Sequence, residues 1–243
     1  MEDLTLIYYT ANRIDDTFAD KVRQHLRGVV GDTRIISVSF KPIDFGINIV
    51  FGDPRPSAYN VYKQVMVGAR IATTRYIACA EDDTLYTPEH FMFRPDDDTF
   101  AYNDAHHDLY KDLFIYRRRC NMATCIAPTQ LMLDTLELRF KKYPDFLDSY
   151  KGETHGFSEP GRHEHELGLP PVKMMAFETD PAPVVFWHRP SLGGVRKILD
   201  YDELYGGLPH WGSALDLWNA YYKRPDNYHW RSDDAINAST NIG

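Results

Sequence analysis

The stretch Tyr76-Ile77-Ala78-Cys79-Ala80-Glu81-Asp82-Asp83-Thr84-Leu85-Tyr86 decides how this chain is read. Its first five residues form a short apolar run, the pattern of a buried strand. Three consecutive acids follow, and Thr87-Pro88-Glu89-His90 then opens a helix with proline at its first position. In open α/β sheets, carboxylates at the C-terminal end of a central strand face the crevice where ligands bind. Three such charges repel one another unless water or a cation neutralises them. Hard carboxylate oxygens suit Mg²⁺ or Mn²⁺, ions that bind through one or two carboxylates plus substrate phosphates. The same triplet also reads as an acidic turn capping the next helix.

Upstream of this stretch the chain opens β-α-β. Leu4 to Thr10 is rich in β-branched and aromatic residues and predicts a buried first strand. Asp15-Asp16-Thr17 offers caps for a helix over Phe18 to Arg27, where Phe18, Val22 and Leu26 recur every fourth residue. Arg34 to Phe40 predicts the second strand, so a parallel sheet with a right-handed crossover is expected. No Gly-x-Gly-x-x-Gly or Walker loop occurs, which removes the usual dinucleotide and P-loop readings. Ile47 to Phe51 predicts a short strand among prolines and glycines. Ser57 caps a helix from Ala58 to about Ala72, with Val61, Val65 and Ala69 facing inward.

Downstream, Thr99 to Tyr102 alternates like a strand. His106 and His107 are tempting as metal ligands, but neighbouring side chains diverge in helix and strand alike. Leu113–Tyr116 and Ala123–Ala127 predict two strands joined by the basic turn Arg117-Arg118-Arg119, and Pro128 opens a helix to about Lys142. The run His163-Glu164-His165-Glu166-Leu167-Gly168 holds candidate general bases, Glu164 and Glu166 or else His163 and His165. It reads either as a polar helix start or as a strand with both histidines on one face. Val172–Phe177 and Val184–Trp187 predict two more strands, the second ending at His188, a candidate metal or phosphate ligand. Ser191 to Lys197 is a glycine-hinged basic segment, whose Arg196 and Lys197 could close over a diphosphate. Ser213–Tyr222 predicts the last helix, and the polar tail from Lys223 is expected to be mobile.

Composition bounds the remainder. At 243 residues, 43% hydrophobic and 26% charged, the chain can bury one large core. A net charge of -8 argues against a non-specific nucleic-acid binder, though not against a local basic groove. No apolar run reaches about 18 residues, so no membrane span is expected. Three cysteines without metal-like spacing, and an acidic start that is no signal peptide, point to a cytoplasmic location.

With these parts in order, the chain resembles the GT-A fold glycosyltransferases, in the neighbourhood of the family-two-like enzymes. The resemblance rests on the opening Leu-Ile-Tyr-Tyr-Thr-Ala-Asn-Arg, the helix before the central strand, Ala-Glu-Asp-Asp-Thr-Leu-Tyr-Thr-Pro-Glu-His-Phe, and His188 on a late strand. It covers about residues 4 to 190 and is strongest over 4 to 90. The triplet Glu81-Asp82-Asp83 is similar to the family's Asp-x-Asp motif, with Glu in place of the first Asp.

The resemblance implies an α/β, Rossmann-like fold with a mixed, mostly parallel central sheet flanked by helices. It implies one catalytic domain over 1–243: a nucleotide-sugar half to about 100, an acceptor half over about 101–222, and the tail 223–243. The activity implied is metal-dependent transfer of a sugar from a nucleotide-diphosphate sugar, first a UDP-sugar, to an acceptor hydroxyl. Asp83 and His188 would hold Mn²⁺ or Mg²⁺; Thr10, Asn12, Arg13, Glu81 and Asp82 would line the donor pocket with Arg196 and Lys197. Glu166, or else Glu164, would be the acceptor base of an inverting enzyme. A glycan, a modified nucleic-acid base and a small molecule all remain open as acceptors. The other classes kept are a two-metal phosphoester hydrolase and a sugar-nucleotide-binding module without turnover.

Overall fold

The computed structural model describes residues 1–52, 57–144, 159–187 and 203–222. The chain divides into two compact units: Met1–His107 with Arg117–Val185, and Asp108–Tyr116 with Phe186–Gly243.

The first unit is built on a seven-stranded sheet. Its opening strands are β1 (Leu4–Thr10), β2 (Arg34–Ser39), β3 (Ile47–Val50) and β4 (Tyr76–Ala80), with α1 (Asp16–Val30) and α2 (Ala58–Ile71) between them. Along the chain there follow a two-residue strand β5 (Thr84–Leu85), β6 (Thr99–Asn103), then β7 (Ala105–Tyr110) and β8 (Leu113–Arg118), most of whose residues belong to the second unit, β9 (Cys125–Pro128), α3 (Thr129–Lys142), β10 (Lys173–Phe177) and β11 (Val184–Phe186). The sheet order is β10-β6-β9-β4-β1-β2-β3. Only β9 runs against its neighbours, so the sheet is mixed and mostly parallel. Helices cover both faces, which makes this the α/β class that the sequence predicts.

Strand periodicity builds the two cores. Ile7, Tyr9, Ile77 and Cys79 turn to α2 and α3, meeting Val65, Ala69, Met132 and Leu136. Leu4, Leu6, Tyr8, Ala78 and Ala80 turn the other way, to Leu26 and Val30 of α1. The predicted caps are present. Asp15 accepts the Phe18 N–H at 3.1 Å and Ser57 accepts the Asn60 N–H at 3.1 Å.

Three local readings are corrected. After Thr87 the chain makes a single 3₁₀ turn, Pro88–Met92, rather than a helix. Residues 163–168 form turns, closed by Leu167 N–H to His163 O at 3.0 Å and Gly168 N–H to His165 O at 2.8 Å, not a strand or helix start. The strands flanking Arg117–Arg119 are not a pair. β9 inserts antiparallel between β4 and β6, while β8 lies between β7 and residues 204–205.

In the second unit, β12 (Leu204–Tyr205) pairs antiparallel with β8, matching Leu204 to Ile115 and Tyr205 to Phe114. A small hairpin of β13 (Gly207–Leu208) and β14 (Gly212–Ser213) leads into α4 (Ala214–Tyr221), which Ser213 caps. Aromatic rings fill the space beside α4: Trp218 stacks on Tyr222 at 4.2 Å, and Phe186 meets Tyr221 at 4.9 Å. Among the described residues, no helix is long and apolar enough to cross a membrane.

Candidate functional site

β1 and β4 are adjacent and parallel, with Tyr8 opposite Ala80, so their C-terminal ends emerge side by side. This register brings Thr10, Asn12 and the acidic triplet together. The Tyr9 hydroxyl donates to Glu81 Oε1, and the Thr10 hydroxyl donates to Asp82 Oδ2. Thr10 Oγ1 also accepts the Asn12 N–H at 2.8 Å, and Asn12 Oδ1 accepts the Lys41 N–H at 2.8 Å. Asn12 holds this turn at φ 50°, a left-handed conformation that Asn tolerates better than most residues. Beneath it the buried Gln64 of α2 donates to Thr10 O at 3.0 Å and Val38 O at 2.8 Å, tying the ends of β1 and β2. Arg13 follows the turn and is exposed.

The triplet divides between the faces of the sheet. Glu81 shares the face of Cys79 and Tyr9, and its backbone N–H meets Tyr86 Oη at 3.3 Å; that hydroxyl donates to Ala123 O at 2.9 Å. Removal from water, reinforced by the Asp83 and Asp82 charges, pushes the Glu81 carboxyl up to about 8, against the pull of the Tyr9 hydroxyl and Arg119. Asp82 lies on the other face with Thr10. There the buried Tyr8 hydroxyl makes no hydrogen bond of good geometry, and burial and Asp82 raise its pKa while Arg23 opposes them. Asp83 is buried, with Oδ1 accepting the Thr84 hydroxyl at 3.0 Å.

These groups suit a hard divalent cation. The donors are carboxylate oxygens; burial raises Glu81 and the Asp83 and Asp82 charges add to it, a repulsion that a cation would offset. Among the described residues no three His, Cys, Asp or Glu side chains converge as a cage. The fit is therefore to an ion shared with an anionic ligand, the usual habit of Mg²⁺. His188, Arg196 and Lys197 lie outside the described residues.

The two candidate bases sit on the 159–168 segment against α3. Glu164 is buried against Arg139, whose Nε donates at 2.8 Å and whose Nη2 donates to the same oxygen; Glu164 Oε2 accepts the Gly161 N–H at 2.7 Å. Lys142 Nζ closes the segment onto Leu167 O at 2.6 Å. Glu166 is 46% exposed and lies 3.5 Å from His163 Nδ1. A backbone hydrogen bond and His163 hold its carboxyl below the usual range. Sequence reasoning missed Tyr9, Tyr86 and Arg119 beside the triplet. The only local signal for them was their position at strand ends.

No protein-family model matches the sequence, and no curated protein matches it. Solved structures similar to the chain include the bifunctional IspDF from Campylobacter jejuni, at 12% identity and TM-score 0.42, over 73% of this chain and 50% of that one. The chain thus spans half the length of that protein. HddC from Yersinia pseudotuberculosis is similar at 12% identity and TM-score 0.42, over 76% of this chain and 93% of that chain. A glycosyltransferase involved in glycosylation of the major capsid of PBCV-1 is similar at 8% identity and TM-score 0.44, over 75% and 93%.

Proposed function

We propose that the chain is a metal-dependent glycosyltransferase of GT-A type, moving a sugar from a nucleotide-diphosphate sugar to an acceptor hydroxyl. One observation carries the reading. The hydroxyls at the end of β1 bind the first two acids of the triplet, Tyr9 to Glu81 and Thr10 to Asp82. A strand-end turn and an acidic turn thereby form one polar edge on a parallel sheet, the place where such sheets bind nucleotides.

In this reading Asp83 holds the cation, with His188 as second ligand. Mn²⁺ or Mg²⁺, when bound, supplies a Lewis acid that stabilises charge on the departing diphosphate. Thr10 and Glu81 stay engaged with protein partners and shape the pocket; Asn12 and Arg13 face the nucleotide, UDP first. Arg196 and Lys197 cover the diphosphate. Glu166 takes the proton of the acceptor hydroxyl, its exposed carboxylate being ionised at neutral pH. Glu164 is the weaker choice, because its lone pairs already serve Arg139 and Gly161. The single-domain arrangement over 1–243 and the cytoplasmic location belong to the same proposal.

Thermal shift with a panel of sugar nucleotides, with and without Mn²⁺, tests it. A rise in melting temperature with one donor, dependent on Mn²⁺ and lost in Asp83→Asn, is expected. No shift with any donor would count against the reading.

A further inference from the structure

Three consecutive arginines, Arg117 and Arg118 at the end of β8 and Arg119 just beyond it, are not equivalent. Arg118 is engaged: its Nε donates to Asp104 Oδ2 at 3.1 Å and its Nη1 to Glu178 Oε2 at 2.5 Å. Among the described residues Arg119 is anchored through its backbone, whose N–H donates to Asp104 O at 2.7 Å. Its guanidinium is exposed and takes no hydrogen-bond partner among the described residues.

The backbone that carries Arg119 is tied to the acidic triplet. Asn121 caps the 3₁₀ turn Met122–Thr124, accepting the Thr124 N–H at 3.1 Å. Within that turn Ala123 O accepts the Tyr86 hydroxyl, which in turn receives the Glu81 N–H. Two hydrogen bonds therefore join the Arg119–Thr124 segment to the first residue of the triplet. Yet Glu81 already accepts the Tyr9 hydroxyl, so Arg119 is not needed as its hydrogen-bonding partner. What remains is a backbone held at Asp104 and linked to the triplet through Tyr86, carrying an exposed, planar guanidinium without a hydrogen-bond partner among the described residues. A guanidinium presents parallel N–H donors that match phosphate oxygens two at a time.

We propose that Arg119 contacts the diphosphate of the donor, supplying cationic charge from the Glu81 side of the site. This rests on the transferase reading above. Arg119 is a binding residue that acts on the substrate itself. Its backbone is fixed at Asp104, next to the end of β6.

A neighbouring residue provides a reporter. Cys120 is half-buried, whereas Cys79 and Cys125, the other two cysteines, are fully buried. Partial burial, with Asp104 and Glu159, raises the Cys120 thiol, so alkylation is run at mildly alkaline pH.

The test is calorimetric titration of uridine, guanosine, adenosine, cytidine and thymidine diphosphates, each with Mn²⁺, into the full chain. Wild type is expected to bind at least one. Arg119→Ala should bind that one about 10- to 100-fold more weakly, the loss of a charge-assisted hydrogen bond. Arg119→Lys should fall between, and Arg118→Ala should match wild type. Saturating diphosphate should slow iodoacetamide labelling of Cys120. Equal affinity for wild type and a normally melting Arg119→Ala overturns the inference and leaves the transferase reading standing. Unprotected Cys120 in saturated protein overturns the placement at this turn. Wild type that binds none of the five overturns both.

Discussion

The Glu164 carboxylate is 2% exposed and accepts hydrogen bonds from Arg139 and from the Gly161 backbone. Arg139 itself is fully buried. Removing one partner of such a pair leaves the other charge buried and uncompensated, at a cost of about 3–5 kcal/mol. Glu164→Gln is therefore expected to lower the urea midpoint sharply. Glu166→Gln should change stability by no more than about 0.5 kcal/mol, because its side chain is exposed. If Glu166 is the base, the same variant should transfer about 10²–10⁴-fold more slowly with unchanged donor affinity. Normal transfer by Glu166→Gln would remove it from the mechanism.

His90 gives the pH dependence. It is fully buried among Tyr86, Phe91 and Phe177, and burial lowers its pKa to about 3. Folded His90 stays neutral while the unfolded chain binds a proton below about pH 6.5. Its contribution to stability is present above about 6.5 and is lost as pH falls towards about 3. Between pH 7 and 5 that loss is about 2 kcal/mol. His90→Phe should lose less stability than wild type over this interval, measured by urea denaturation at both pH values. Parallel losses would show that His90 titrates normally in the folded protein.

At the scale of elements, packing of α2 onto β1 sets where the site forms. A Cβ on Gly68 would lie 2.6 Å from Ile7 Cγ2, so this glycine lets the helix approach the strand that ends at Thr10. Gly68→Ala should cost about 1–3 kcal/mol through overpacking. Gly28 on α1 has nothing within 4 Å of its added Cβ. Gly28→Ala should stabilise by up to about 1 kcal/mol. Melting temperatures moving in the same direction for both would contradict this view of the helix–strand contact.

Elements were legible where one local signal sufficed. β1 is rich in β-branched and aromatic residues, β4 is a continuous apolar run, and Asp15, Ser57 and Ser213 cap their helices as their side chains suggest. β7 was not legible, because His106, His107 and Asp108 interrupt its apolar pattern. The partners of β8 and β9 were hidden for another reason. Two strands near in sequence can pair with each other or with distant strands, and local composition does not distinguish these.

Across the whole molecule, the site was half legible. Three acids after a buried strand are visible in the sequence. The tyrosines that organise them are not, since Tyr9 reaches Glu81 only through the register of β1 on β4. Glu164 misled for the same reason: Arg139, which occupies it, lies 25 residues earlier. The central claim is that the polar edge at the ends of β1 and β4 binds a nucleotide-sugar diphosphate with a divalent cation and releases the sugar. Its most direct test is release of nucleoside diphosphate from a panel of sugar nucleotides by purified protein, with Mn²⁺ and with chelator, beside Asp83→Asn. The account predicts release from one donor with Mn²⁺, none with chelator, and none by an Asp83→Asn variant that melts as wild type does. Undiminished release by Asp83→Asn, or none by wild type from any donor, would contradict it.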